Sequence, residues 1–147
     1  MNAWVELRKK HQEETNAFPI HFAFGQEQID RIMAELHLDP EHLSEQIVTV
    51  GAGGFVLKED APKLKEMWKR HEDERAKCIA EDDTGDGFIY DMFRYELANH
   101  EYGYTGFVDE TLEYLGYTME DIQADKRLLH GLQKAATDIM KKEAMGA

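Results

Sequence analysis

Residues 82–89 read Asp-Asp-Thr-Gly-Asp-Gly-Phe-Ile, and the two glycines of this stretch predict a break between two helices. Upstream, apolar side chains recur at helical spacing between Leu64 and Ile79, which predicts one long helix. Downstream, the spacing from Phe88 to Leu97 predicts a second helix with one apolar side. We therefore expect a short polar loop joining two helices.

The rest of the chain predicts a mainly helical α+β fold. Helical spacing predicts further helices at about 3–14, 26–37 and 109–115, and one from Asp125 onward. β-rich runs predict a small antiparallel sheet of about three strands, at 19–24, 47–51 and 54–58. The glycine-rich run 51–54 favours a hairpin turn, because it lacks the Gly-Lys-Ser/Thr ending of a phosphate-binding loop. Since no repeat or linker divides the chain, we expect a single domain over 1–147.

The composition is that of an acidic globular protein. Its 147 residues include 30 Asp and Glu against 17 Lys and Arg, a formal net charge of −13, and 42% are hydrophobic. That apolar fraction is sufficient for a core. Cys78 is the single cysteine, so an intramolecular disulfide cannot form. The sequence has no apolar run near ~18 residues and no charged and apolar leader, so we expect a soluble cytoplasmic protein without a membrane partner.

The negative charge is concentrated in one segment. Residues 81–125 contain thirteen acidic side chains and one basic side chain, and they include all six tyrosines. Such a segment disfavours direct binding to nucleic acid, which depends on Lys and Arg at phosphates, and it favours a basic protein surface. The side chains expected to contact such a partner are Asp109, Glu110, Glu113, Tyr114, Tyr117, Glu120 and Asp121. The alternative is a solvated acidic face that only maintains solubility.

The 82–89 loop partly matches a calcium-binding loop. Asp82, Thr84 and Asp86 stand where oxygen ligands are expected, and Gly87 stands at the sharp turn. The position of the usual bidentate glutamate holds Phe93, so a metal there would lose part of its ligand set. The favoured interpretation is a polar loop in which Thr84 or Asp86 caps the next helix.

Glu96 and His100 are the other candidates for chemistry. They lie four residues apart on one predicted helix face, a spacing that can bring a carboxylate and an imidazole to one metal or one proton. Asn99, Tyr95 and Tyr102 lie beside them, and His71, Glu74 or His130 would be needed to complete a metal site. Because both residues fall on the apolar face, the favoured interpretation is a buried pair with a structural role.

Four segments carry a resemblance to a protein family. They are Phe-Ala-Phe at 22–24, Val-Gly-Ala-Gly-Gly-Phe at 50–55, Asp-Ala-Pro at 60–62 and Phe-Ile-Tyr-Asp-Met-Phe-Arg-Tyr-Glu-Leu-Ala-Asn-His-Glu-Tyr at 88–102. Over about residues 20–133 the chain resembles an uncharacterised family of small acidic proteins encoded by phages and mobile elements of gut and related bacteria. The resemblance implies no activity and no catalytic residues. It implies a context in which small acidic proteins sometimes inhibit host enzymes by imitating nucleic acid.

Two classes of function follow from the sequence. The favoured class is a non-enzymatic protein without a cofactor, whose segment 81–125 binds a basic, nucleic-acid-handling partner. The alternative is a small metal-dependent or acid-base enzyme centred on Glu96, Asn99 and His100.

Overall fold

The computed structural model describes residues 1–146, and it confirms the mainly helical α+β class. In this described part, nine α-helices accompany one three-stranded sheet. In chain order the elements are α1 (Ala3–Ala17), β1 (His21–Phe22), α2 (Gln26–Glu35), a short 3-10 turn (Pro40–His42), α3 (Leu43–Gln46), β2 (Ile47–Gly51), β3 (Gly54–Leu57), α4 (Ala61–Glu81), α5 (Phe88–Asn99), α6 (Tyr102–Thr105), α7 (Asp109–Leu115), α8 (Met119–Ala124) and α9 (Lys126–Gly146). Over the same residues, no helix combines the length and the apolar composition needed to cross a membrane.

The chain divides into two compact units, each described here by itself. The helical unit contains Met1–Lys10 and the chain from Glu74 onward, whereas the sheet unit is His11–Asp73. In the helical unit α5 packs against α9. The buried side chains of these two helices are Ile89, Met92, Phe93, Leu97, Leu128, Leu132, Ala135 and Ile139. Both helices therefore bury the apolar stripes that their spacing predicts.

The sheet unit is built around the predicted hairpin. The strand order is β1-β3-β2, and both pairings are antiparallel. Ala52 and Gly53 connect β2 to β3 with φ of 50° and 78°, and positive φ at both central residues is the requirement of a two-residue type I′ turn. The register is irregular between Thr49 and Gly51, so a β-bulge precedes the turn.

Strand β1 is shorter than the predicted run 19–24. Pro19 has no N–H to donate to a ladder. At the other end, the N–H of Ala23 still donates to the Gly53 carbonyl at 3.1 Å. The N–H of Phe24 donates instead to the side chain of Gln28 at 2.8 Å. The regular pairing is therefore confined to His21–Phe22.

A close approach between backbones joins the 82–89 loop to α9. A Cβ atom at Gly131 would lie 2.6 Å from Ile89 Cγ2 and 2.9 Å from the Gly85 carbonyl oxygen. Gly85 itself has a φ of +87°, and a Cβ there would collide with the carbonyl oxygen of Arg127. Only glycine at both positions lets the loop cross α9 at this distance.

We expect Gly131→Ala to lower the free energy of unfolding by about 1–3 kcal/mol, because overpacking outweighs the usual helical preference for alanine. Urea denaturation at neutral pH measures the change. Gly146→Ala, in the same helix but with open space around the added Cβ, should change stability by less than about 0.5 kcal/mol. Equal stability of Gly131→Ala and wild type would contradict the close approach.

Candidate functional site

Asp82 caps the N-terminus of α5 from within the loop. One carboxylate oxygen accepts from the N–H groups of Thr84 at 3.3 Å and Gly85 at 2.9 Å. The other accepts from Gly87 at 3.1 Å and Ile89 at 2.9 Å. Burial raises the pKa of Asp82, but these four donors outweigh it and hold the pKa below its usual value. The expectation that Thr84 or Asp86 is the cap is wrong, because the Asp82 carboxylate accepts from Gly87 and from Ile89 in the first turn of α5.

The two remaining oxygen candidates of the loop also have protein partners. Thr84 Oγ1 accepts from the N–H of Asp86 at 3.1 Å. The Asp86 carboxylate lies 2.7 Å from His130 Nε2 and 3.0 Å from Lys134 Nζ, both on α9. These two partners lower the pKa of Asp86. Within residues 1–146, no group of three or more His, Cys, Asp or Glu side chains is arranged to hold a metal ion.

Arg127 closes the other side of the loop. Its guanidinium donates to the carbonyl oxygens of Ile79 at 2.9 Å and Asp82 at 2.8 Å, which are acceptors at and just beyond the end of α4. The same guanidinium is paired with the Asp125 carboxylate at 2.9 Å, and this hydrogen bond lowers the pKa of Asp125. Loop 82–89 is thus a structural junction between α4, α5 and α9.

Glu96 is a fully buried carboxylate, with 0% of its surface exposed. Glu96 Oε2 lies 3.4 Å from Arg8 Nη1, and Glu96 Oε1 lies 3.5 Å from Asn99 Nδ2. Arg8 also places its guanidinium over the Tyr95 ring, 5.7 Å from the centroid. The buried charge is therefore compensated by a cation from α1, and the local spacing of residues 95–102 contains no signal for Arg8.

His100 is directed away from the Glu96 carboxylate. Its Nδ1 donates to the backbone carbonyl oxygen of Glu96 at 2.8 Å, since a carbonyl can only accept. His100 is the C-terminal capping residue of α5, and its ring lies 5.0 Å from that of Tyr114. Tyr102 is half-buried against the core. The structure thus places Arg8 against Tyr95 and Glu96, and Asn99 beside the Glu96 carboxylate. His100 has a separate capping contact.

The residues that would be needed to complete a metal site with Glu96 and His100 are paired with other side chains. His71 Nε2 lies 3.0 Å from the Glu14 carboxylate in the sheet unit. Glu74 pairs with Lys10 at 3.3 Å, and His130 pairs with Asp86.

The predicted partner-binding residues are exposed, with one exception. Asp109, Glu110, Glu113 and Tyr114 are exposed on α7, whose Thr111 and Leu112 are buried. Glu120 and Asp121 are exposed on α8. The exception is Tyr117, which is half-buried with its ring 6.3 Å from that of Phe93.

Asp121 has a structural contact as well. The Thr118 N–H donates to its carboxylate at 2.9 Å, and its own N–H donates to Thr118 Oγ1 at 3.1 Å. These two reciprocal hydrogen bonds form a capping box at the start of α8. A substitution at Asp121 would therefore disturb the start of α8 as well as the surface charge.

Two further aromatic side chains are exposed near α7 in the chain, and neither is among the residues that the sequence predicts for partner binding. Tyr104 is 91% exposed and Phe107 is 70% exposed. Tyr104 lies in α6, and Phe107 lies in the short link between α6 and α7. We refer to six exposed residues as the acidic–aromatic surface: Tyr104, Phe107, Asp109, Glu110, Glu113 and Tyr114.

Comparison with known proteins gives one match. The model of a family of unknown function (DUF7659) matches residues 4–138. Neither the curated proteins nor the solved structures include a match.

We expect Asp82→Asn to destabilise the protein by about 1–2 kcal/mol at pH 7, because a capping carboxylate is replaced by an amide with one acceptor oxygen. The folded pKa lies below the unfolded value of about 3.9, so the contribution of the carboxylate is complete above that pH and is lost as the pH falls through the folded pKa. Urea denaturation from pH 7 to pH 2 should show the two proteins converging below about pH 4. The exposed neighbour provides the control Asp83→Asn, and a constant difference across the range would contradict the capping role.

We expect Arg8→Met to cost about 1–3 kcal/mol, because it leaves the buried Glu96 carboxylate without its cation while one side of Arg8 is open to solvent. The double variant Arg8→Met with Glu96→Met should recover most of that loss, since it removes both charges. A double-mutant cycle by urea denaturation measures the coupling between the two side chains. Additive single effects would show that the pair does not stabilise the fold.

Proposed function

The chain belongs to the DUF7659 family, a family of unknown function, and we propose that this member is a non-enzymatic protein that binds a basic surface of another protein. The acidic–aromatic surface is the binding site in this proposal. The observation that carries it is the exposure of Tyr104 and Phe107, which come shortly before α7 in the chain, together with the exposure of the carboxylates on α7.

The chemistry of this surface suits a basic partner. Its carboxylates attract Lys and Arg over several ångströms and accelerate the first encounter at low salt. Exposed aromatic rings then provide rigid contact area with little loss of conformational entropy. Carboxylates of this kind stand where phosphates would otherwise bind, so a protein that handles nucleic acid is the expected partner. The resemblance to proteins of phages and mobile elements suggests an inhibitor of a host enzyme as the biological role.

The experiment compares affinity capture by wild type and by two matched variants. The test variant is Asp109→Asn, Glu110→Gln and Glu113→Gln, which removes three charges and leaves the Asp121 cap intact. The control variant is Glu59→Gln, Glu66→Gln and Glu72→Gln, which removes three exposed charges from the sheet unit. Quantitative mass spectrometry of proteins captured from the native cytoplasm at low salt reads out the comparison.

We expect nucleic-acid-handling proteins with basic surfaces to be captured by wild type and by the control, and at least about tenfold less by the test variant. Tyr104→Ser with Phe107→Ser should produce a similar loss. Added duplex DNA or RNA should release the captured protein, because the nucleic acid and the acidic–aromatic surface would compete for the same basic groove of the partner. The proposal is overturned if no captured protein distinguishes the test variant from the control, or if nucleic acid does not compete.

A further inference from the structure

The sheet unit contains a partly open cavity of about 390 Å³ between the sheet and the short helices that cover it. Pairing in the sheet places Thr49 and His21 opposite Phe55, so these residues share one face. Apolar side chains line most of the cavity: Ala23, Ile29, Met33, Leu43, Ile47 and Phe55. Apolar side chains thus form most of the wall of a partly open space.

We propose that this cavity binds a neutral, apolar small molecule. Its residues all lie in His11–Asp73, and none of them belongs to the acidic–aromatic surface. The site and its ligand are therefore independent of the proposed partner binding.

The size of the space sets the size of the ligand. Protein interiors rarely leave voids much larger than a water molecule. An apolar protein cavity of about 150 Å³ holds one benzene molecule, so about 390 Å³ corresponds to a ligand of about ten to sixteen non-hydrogen atoms. A sphere of that volume is about 9 Å across, narrower than the about 10–12 Å of an α-helix with its side chains, which disfavours a helical segment as the occupant.

The chemistry of the lining sets the polarity of the ligand. Among the described residues that line the cavity, Thr49 supplies the polar side chain and none carries a charge. His21 lies on the same face of the sheet, with its ring 5.4 Å from that of Phe55, but it is not one of the lining residues. Water needs two to four polar partners to be held in such a space, and a carboxylate or ammonium group would lose its hydration without a counter-charge. The fit is an aromatic ring pair or a medium-length aliphatic chain with at most one hydroxyl group.

The bulge beside the cavity favours a binding role for this end of the sheet. The irregularity between Thr49 and Gly51 interrupts the pairing of β2 with β3 next to the hairpin. Gly51, Gly53 and Gly54 bring backbone, rather than side chains, to the cavity wall. Bulges and glycines of this kind commonly occur where a ligand approaches a strand closely.

The test uses naphthalene and decan-1-ol as probes, followed by amide NMR on the full chain. We expect both to bind with dissociation constants of about 10–100 μM and to shift the resonances of Ala23, Ile29, Met33 and Phe55. Decanoate should bind at least about tenfold more weakly than decan-1-ol, because its carboxylate would lose hydration in an uncharged site. The proposal would be overturned if neither neutral probe saturates the protein, or if only the resonances of residues outside the cavity shift.

Two adjacent residues of β2 provide matched variants. Thr49→Trp fills the cavity face, whereas Val48→Trp adds the same side chain on the opposite face. Thr49→Trp should weaken naphthalene binding at least about tenfold, and Val48→Trp should leave it within about twofold. Ala23→Leu adds a smaller side chain to the cavity and should weaken naphthalene binding several-fold. This variant replaces Thr49→Trp in the test if Thr49→Trp does not fold.

Sedimentation of the same variants examines the competing occupant, a second copy of this chain. A wild-type dimer that becomes monomeric in Thr49→Trp but not in Val48→Trp would show that the cavity face is an interface between copies, and it would overturn the small-molecule proposal. The same sedimentation behaviour in all variants, together with probe binding lost in Thr49→Trp or Ala23→Leu, would support it.

Discussion

The helical unit depends on the close crossing of the 82–89 loop and α9. Gly85 and Gly131 allow two backbones to meet without intervening side chains. Asp82 accepts from the Ile89 amide in the first turn of α5, and Arg127 donates to carbonyl oxygens around the end of α4. These contacts set the direction in which α5 leaves the loop, and thereby align its apolar stripe with that of α9. In the folded chain the buried side chains of α5 and α9 pack against one another next to this crossing.

The acidic residues of segment 81–125 fall into two physical groups. Asp82, Asp86, Glu96 and Asp125 each contact backbone amides, cationic side chains or a polar neighbour within the fold. Such contacts offset part of the repulsion that a net charge of −13 imposes on a folded chain. Asp109, Glu110 and Glu113 are instead exposed on α7. The charge imbalance of the segment therefore overstates the acidity available to a partner.

Local patterns in the sequence predict the elements well and the site contacts poorly. Periodic apolar spacing predicts α5 and α9, and the run 51–54 predicts the hairpin, because both depend on neighbours in the chain. The pairing of Arg8 with Glu96 joins residues 88 positions apart, and no local spacing encodes it. The choice of Asp82 over Thr84 or Asp86 as the cap depends on how the loop folds back over α5. Likewise, the Phe24 amide turns to Gln28, which no strand pattern indicates.

The stability of the fold explains the positions of some polar and aromatic residues in and before α7, but not of others. Asp109 and Glu110 stand in the first turn of α7, where the helix dipole favours negative charge by about 0.3–1 kcal/mol each. Glu113 lies in the last turn of the same helix, where the helix dipole disfavours negative charge. Tyr104 and Phe107 expose most of their rings to water, whereas the hydrophobic effect favours the burial of aromatic rings. Residues that depart from what folding alone favours are expected at functional positions. Tyr104, Phe107 and Glu113 are residues of this kind, so the proposed binding surface depends on them more than on Asp109 and Glu110, whose place at the start of α7 the helix dipole already favours.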